Sequence, residues 1–159
     1  WGTDVDMLLW LAAGTEMLGQ LRAQVAGVVD LELAAGTAGF SMVVAVRAAP
    51  RSEVRRLIHL ALALDKRLKI VTVVDDDVDI RDPRELAWAL ATRLRPARDT
   101  IVVDGTDTYV IDPAGGAPGE GSKIGFDATR GSADAAFDKA RLDAAALARV
   151  RAVLGDIVA

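Results

Sequence analysis

With 159 residues, of which 52% are hydrophobic, the chain has the length of one domain and enough apolar material for a core. Its net charge of -4, from 19 basic and 23 acidic residues, argues against the concentrated basic surface of a nucleic-acid-binding protein. The absence of cysteine excludes disulfides, thiolate catalysis and Cys-ligated zinc, and it fits a cytoplasmic location. No apolar run approaches the roughly 20 residues of a membrane helix, so we expect no membrane partner.

The first half of the chain predicts a helix, a strand and then a strand–helix–strand unit. Apolar residues at steps of three and four predict a helix over residues 3–25. Alternating apolar and acidic residues predict a half-buried strand over 28–33, and β-branched runs predict buried strands over 40–46 and 69–74. The apolar pattern of 52–64 predicts a helix between these two strands. Because strands joined through a helix run parallel, we expect a βαβ unit.

A third helix is predicted to begin at Asp82-Pro83, with Asp at the cap and Pro at the first helical position, and to end at Leu94. Its expected buried stripe is Leu86, Ala87, Leu90, Ala91 and Leu94. Trp88 is expected to point away from that stripe.

The sequence after Leu94 predicts short strands and then helices. Strands are expected over 100–103 and 109–111, joined through Asp104-Gly105, and a further strand over 122–126. Glycine and proline mark 112–121 as a loop. The Ala-rich end predicts two helices that meet near Asp143.

These elements predict an α/β fold: a three-layer mixed sheet that contains a βαβ unit, with C-terminal helices. We divide the chain into a linker-like helix (1–25), an α/β domain (26–131) and a C-terminal helical segment (132–159).

The acidic run after the third strand is the most prominent polar feature, comprising Asp75, Asp76, Asp77, Asp79 and Asp82. Carboxylates can hold Mg²⁺ or Ca²⁺. The EF-hand pattern fails, because Ile80 and Leu86 occupy the positions of its glycine and its last glutamate. Acids at the start of a helix also stabilise its N-terminus. We therefore predict a structural role and no metal site.

No other residues form a recognisable active site. His59 is the only histidine, beside Arg55 and Arg56 on one helical face, and neither a P-loop nor a GxGxxG signature occurs. The few glutamates are scattered over separate elements, without a carboxylate pair for acid–base chemistry. We assign no catalytic, cofactor-binding or metal-binding residue.

Two segments resemble the C-terminal signature of the UbiD family of decarboxylases. Residues 69–99, KIVTVVDDDVDIRDPRELAWALATRLRPARD, are similar to that family's V-V-D-x-D-[VI]-D-[IV] strand end followed by a W-A-[LF]-A-T-R helix. Residues 122–129, SKIGFDAT, are similar to its K-[IVM]-G-[IL]-D-A-T, with Phe126 where Ile or Leu is usual. The order and spacing of the two segments agree as well.

The resemblance implies a reversible, non-oxidative decarboxylase of aromatic, heteroaromatic or α,β-unsaturated acids. It implies prenylated FMN, with a divalent metal and potassium at its phosphate, and a catalytic Arg-Glu-Glu set, all in an upstream flavin-binding domain. Because none of those positions maps onto this chain, we expect no cofactor in it. The chain begins at Trp1 without an initiator Met, and we expect an inactive fragment: the C-terminal oligomerisation domain.

The implied partners are further copies of the chain (a dimer or higher) and the missing flavin-binding domain. A stand-alone association module or small subunit with the same fold is the alternative.

The resemblance also suggests structural roles for its motif residues. Asp75, Asp77 and Asp79 are expected to fix the turn between strand and helix by pairing with Arg93 or Arg95.

Asp127 and Thr129 belong to the second motif, and we expect a structural role for them too. Trp88 is an interface candidate, since aromatic residues are enriched at contact cores. It could equally pack beneath the C-terminal helices of its own chain.

Overall fold

The computed structural model describes residues 4–34, 36–130 and 143–154. In chain order the elements are α1 (Asp4–Gln24), β1 (Val28–Leu33), β2 (Ser41–Val46), α2 (Arg51–Leu64), β3 (Ile70–Asp75), α3 (Pro83–Arg93), the single turn α4 (Pro96–Asp99), β4 (Thr100–Thr106), β5 (Gly121–Ala128) and α5 (Ala144–Leu154). None of the helices in this part of the chain is long and apolar enough to cross a membrane.

The five strands form one mixed sheet in the order β1-β2-β3-β5-β4. β2, β3 and β5 run parallel, while β1 is antiparallel to β2 and β4 is antiparallel to β5. The β2–α2–β3 segment is the predicted βαβ unit, and the predicted mixed α/β class is confirmed. The carboxyl ends of β2, β3 and β5 therefore lie along one end of the sheet.

Helices cover both faces of the sheet, which gives the three predicted layers. Alternate strand residues such as Val44 and Val73 face α1 and α2, where they join the larger core cluster with Leu57 and Ile58. Strand residues of the other parity join a smaller cluster with Ala89 of α3. Both clusters consist mainly of branched aliphatic side chains, whose burial is the main stabilising term in such a fold.

Helix α2 lies very close to β5 because β5 has a glycine at the crossing point. A Cβ built on Gly125 would lie 2.1 Å from Cγ2 of Ile58, far inside van der Waals contact. Ile58 itself is fully buried. This position therefore requires glycine for its lack of a side chain.

The predicted buried stripe of α3 is wrong in part. Ala89 and Arg93 are the buried residues of this helix, whereas Ala87 and Ala91 are exposed. The helix is rotated relative to the apolar pattern because the buried Arg93 side chain binds carboxylates at the end of β3, as described below. A prediction from hydrophobic periodicity assigns only apolar residues to the buried side of a helix, so it could not place Arg93 there.

The predicted strand over 109–111 is also wrong, since β4 pairs with β5 and the segment between them is a loop. A turn is formed there by the bond from Asp112 N to Tyr109 O (2.8 Å). Side-chain contacts hold this loop: Lys69 Nζ donates to Asp112 Oδ1 at 3.0 Å, and Lys66 Nζ lies 5.6 Å from the Tyr109 ring centre. These contacts join residues about forty positions apart and are not visible in the local sequence pattern.

At the C-terminus, α5 agrees with the predicted helix after Asp143. The helix predicted before Asp143 falls on residues 132–142, which lie outside the described residues.

Candidate functional site

The two motif segments meet at the carboxyl ends of β3 and β5. Because these strands are parallel neighbours, Asp75 at the end of β3 lies close to the residues that follow β5. Helix α3 then passes over this end of the sheet and brings Arg93 to the same place. In open α/β sheets, this is the edge at which ligands commonly bind.

Arg93 is the centre of the cluster. Its Nη1 donates to Asp75 Oδ2 (3.1 Å) and to Asp77 Oδ1 (2.9 Å), and its Nη2 donates to Asp77 Oδ2 (2.7 Å). The contact with Asp77 is thus bidentate, the geometry in which a guanidinium binds a carboxylate most strongly. The Arg93 side chain is only 3% exposed, and its guanidinium carbon lies 4.8 Å from the centre of the Trp88 ring. Stacking on an aromatic ring further stabilises the buried cation.

Arg130 completes the cluster from the other strand. Its backbone N–H donates to Asp75 Oδ2 at 2.5 Å, and its Nη2 lies 3.0 Å from Asp77 Oδ2. Two arginines therefore face two aspartates, so the cluster has no net charge. Sequence reasoning missed Arg130, because the family motif ends one residue before it.

The environment separates the pKa values of the two carboxyls. Burial raises the pKa of Asp75, although the Arg130 N–H and the Arg93 charge oppose that shift. Hydrogen bonds from Arg93 lower the pKa of Asp77. Asp77 therefore holds its negative charge firmly as the counter-ion of Arg93, while Asp75 takes up a proton more readily.

The turn between β5 and Arg130 is fixed by the second motif. Oδ1 of the buried Asp127 accepts hydrogen bonds from the Thr129 backbone N–H (3.1 Å) and from the Thr129 hydroxyl (2.6 Å). This local pattern is the turn that short polar side chains form with the residues after them. It positions the backbone N–H of Arg130 to donate to Asp75.

The remaining members of the acidic run hold the chain between β3 and α3. Asp79 Oδ1 accepts from the Arg81 N–H (2.9 Å), and Asp82 caps α3 by accepting from the Arg84 N–H (2.8 Å). Asp76 forms an ion pair with Arg47 at 2.5 Å. In the described ranges, no group of three or more His, Asp or Glu side chains has the arrangement of a metal site.

Trp88 is half-buried and packs against the smaller core cluster of its own chain, beside Arg93. Its predicted role at an interface stays a prediction. The other predicted position, beneath the C-terminal helices, depends in part on residues 132–142, which lie outside the described residues.

His59 lies away from this cluster, on the exposed side of α2. It lines an open hollow of about 360 Å³ together with Lys66 and Lys123. Lys123 Nζ donates to the carbonyls of Leu62 (2.7 Å) and Asp65 (3.0 Å), which satisfies the carboxyl end of α2. A lysine bound in this way serves the helix.

Comparison with known proteins places these features in a family. Residues 6–128 match the model of the 3-octaprenyl-4-hydroxybenzoate carboxy-lyase C-terminal domain. An uncharacterized protein in the cooM 5' region of Rhodospirillum rubrum is 36% identical over 149 residues, which are 92% of this chain and 32% of that protein.

Solved structures agree with this match. The UbiD-class enzyme HmfF from Pelotomaculum thermopropionicum, in complex with FMN, is 27% identical with a TM-score of 0.80, over 87% of this chain and 32% of that one. The 3,4-dihydroxybenzoic acid decarboxylase AroY from Klebsiella pneumoniae, at 24% identity and a TM-score of 0.75, shares the fold over 86% of this chain and 31% of its own. The chain thus spans about a third of the length of the relatives it matches.

Proposed function

This chain belongs to the UbiD family of decarboxylases and matches its C-terminal domain, and from that membership we propose that it is the oligomer-forming part of a carboxy-lyase for aromatic or unsaturated carboxylic acids. The observation that carries the proposal is the match to the C-terminal-domain model over residues 6–128, together with coverage of only about a third of each relative. Decarboxylation then takes place in a larger cytoplasmic protein, and this chain supplies its C-terminal domain.

The prenylated FMN, the divalent metal and the potassium implied by the family belong to the flavin domain in this proposal. The similar HmfF structure is a complex with FMN. The residues described for this chain do not fit a flavin phosphate or its metal, because the charges at the carboxyl edge of the sheet neutralise one another. Asp75 and Asp77 are paired with Arg93 and Arg130. We therefore derive no catalytic step from this chain.

Self-association is the second part of the proposal. One of the similar HmfF structures is an evolved dimeric form of that enzyme. On this chain, large apolar side chains such as Leu11 (71% exposed), Val102 (64%) and Leu147 (38%) lie at the surface. Contact with a second copy would remove such surface from water, which favours association.

The membership in a larger enzyme is tested on the native protein. Antibodies against this chain are used to isolate it from its own cells, and its intact mass and its release of CO₂ from aromatic acids are measured. A mass several times 16.8 kDa and flavin-dependent CO₂ release are expected. A native protein of only 16.8 kDa without such activity contradicts the proposal and favours a stand-alone association module.

The absence of a flavin site in the chain itself is tested by fluorescence titration with FMN and with prenylated FMN. We expect no saturable binding. Saturable binding at micromolar flavin would show that this domain holds the cofactor itself.

The role of Trp88 is tested by Trp88→Ala in the 159-residue chain. If Trp88 lies at an interface, the substitution lowers the association constant, measured by sedimentation, more than it lowers the free energy of unfolding, measured by urea titration. If Trp88 only supports Arg93 and the core cluster, the substitution lowers the free energy of unfolding and leaves the association constant unchanged.

A further inference from the structure

The open hollow beside His59 lies between the last turns of α2 and the edge strand β4, and we call it the α2–β4 hollow. Part of its lining is apolar: Leu62 of α2 is buried, and Val103 of β4 packs against the larger core cluster. Val103 pairs with Lys123 of β5, so the two side chains lie on the same face of the sheet. The volume of about 360 Å³ is within the roughly 300–1,000 Å³ that is usual for small-molecule sites.

The lysines of the α2–β4 hollow lack the carboxylate partner that many arginines and lysines of this chain have. Lys69, for example, pairs with Asp112 at 2.8 Å. The exposed Lys66 instead lies 5.6 Å from the centre of the Tyr109 ring, and Lys123 donates to main-chain carbonyls. Among the residues that the structure describes, neither lysine forms an ion pair with a carboxylate. Both are therefore available to an anion from solution.

Lys123 is a half-buried charge with a donor to spare. Its ammonium group has three N–H donors, of which the carbonyls of Leu62 and Asp65 use two. Burial lowers the pKa of Lys123, although the negative charge of Asp65 opposes that shift. An anion beside this ammonium group would offset the cost of burying its charge.

The end of β4 and the residue after it supply further polar groups to the lining. Thr106 has a buried hydroxyl oxygen without a hydrogen-bond partner in the described part of the chain, and an unsatisfied buried group of this kind is costly. Asp107 is the acidic residue of the lining, and its Oδ1 accepts a hydrogen bond from the Gly119 N–H (3.0 Å). Two lysines and one aspartate leave the lining with a net positive charge, and His59 adds an imidazole N–H donor.

We propose that the α2–β4 hollow binds a small monocarboxylate with an apolar body. The carboxylate is bound by Lys66 and Lys123, and the apolar body lies against Leu62 and Val103. Inorganic phosphate has the charge without the apolar body, and a neutral amide of the same shape has the body without the charge, so both bind more weakly. This inference goes beyond the proposed function and does not depend on it, because binding requires neither a flavin nor a second copy of the chain.

The site is tested by titrating the ¹⁵N-labelled 159-residue chain with benzoate and following amide shifts by NMR. We expect saturable shifts around the hollow, with a Kd on the order of a millimolar for so small a ligand. Benzamide and inorganic phosphate should each bind about tenfold more weakly or less. Without saturable shifts, or with shifts confined to another surface, the site is wrong. If phosphate binds as tightly as benzoate, the hollow recognises charge alone and the proposed ligand class is wrong.

Two substitutions at exposed positions of the lining test the two halves of the ligand. Lys66→Glu reverses the charge and should weaken benzoate binding about tenfold or more. Ala63→Phe fills the hollow without changing the charge and should weaken it as well. Circular dichroism checks that both variants keep their fold. If Ala63→Phe binds benzoate like the original chain, the ligand does not occupy the hollow and the proposal is overturned.

Arg84→Glu is the matched control for Lys66→Glu. It makes the same change in net charge at an exposed residue of α3, the helix that packs against the other face of the sheet. We expect it to bind benzoate like the original chain. An equal loss in Arg84→Glu and Lys66→Glu would mean that overall charge alone attracts the anion, and the α2–β4 hollow would not be its site.

Discussion

Replacing Arg93 by Met tests whether the aspartate–arginine cluster stabilises the fold. The substitution removes three charge-assisted hydrogen bonds from a side chain that is 3% exposed, while the apolar stem remains. A hydrogen bond to a charged group contributes about 1.5–3 kcal/mol, and removing one partner of a buried ion pair costs about 3–5 kcal/mol. Asp75 and Asp77 keep their contacts with Arg130. We therefore expect the free energy of unfolding to fall by ~3 kcal/mol, the lower end of the range for a broken buried ion pair.

The loss is measured as the change in the free energy of unfolding in urea. For a domain of this size, ~3 kcal/mol corresponds to a fall in Tm of about 6–12 °C. Arg84→Met is the matched control, because Arg84 is an exposed arginine of the same helix, and it should change stability by less than about 0.5 kcal/mol.

A double-mutant cycle with Asp77→Asn separates the ion pair from other effects of the substitution. Since Arg93 and Asp77 are in direct contact, the double variant should lose clearly less than the sum of the two single losses. Additive losses, or an Arg93→Met variant as stable as Arg84→Met, would refute the reasoning.

Three further outcomes follow from the structure. Gly125→Ala should destabilise by about 1–3 kcal/mol because its Cβ meets Ile58, whereas Gly19→Ala, in open space on α1, should be neutral or slightly stabilising in the same urea titration. Hydrogen bonds from basic side chains lower the pKa of Asp30, Asp77 and Asp112, so their stabilisation is present above about pH 4 and is lost as the pH falls further. Tm measured from pH 7 down to pH 3 should accordingly fall at the acid end, and a flat profile would contradict these pairings. Adding Mg²⁺, Mn²⁺ or Ca²⁺ should leave Tm unchanged, and a rise of several degrees would instead indicate a metal site.

Much of the fold could be predicted because its signals are local. Asp82-Pro83 predicts the start of α3, and the structure begins the helix at Pro83 with Asp82 as its cap. The β-branched runs of β2 and β3, separated by an amphipathic helix, correctly predict the βαβ unit. Helix capping, hydrophobic periodicity and β-branching each involve residues that are close in the sequence. They can therefore be recognised without knowledge of the rest of the chain.

The candidate site was predictable only in part. The sequence predicted that acids of the run would pair with Arg93 or Arg95, and Arg93 does bind Asp75 and Asp77. Arg130 was missed, since it is 55 residues from Asp75 and no local pattern joins the two. Only the parallel pairing of β3 with β5 brings them into contact.

Composition, periodicity and motif spacing therefore determined the kinds of element, their order and the family of this chain. Contacts between distant residues decided the rest. The strand-like segment 109–111 is a loop beside the Lys69–Asp112 pair, and α3 buries Arg93, which lies outside its predicted apolar stripe. The exposure of Val102 likewise depends on β4 lying at the edge of the sheet, because the order of strands follows from tertiary packing and no local signal in the strand encodes it.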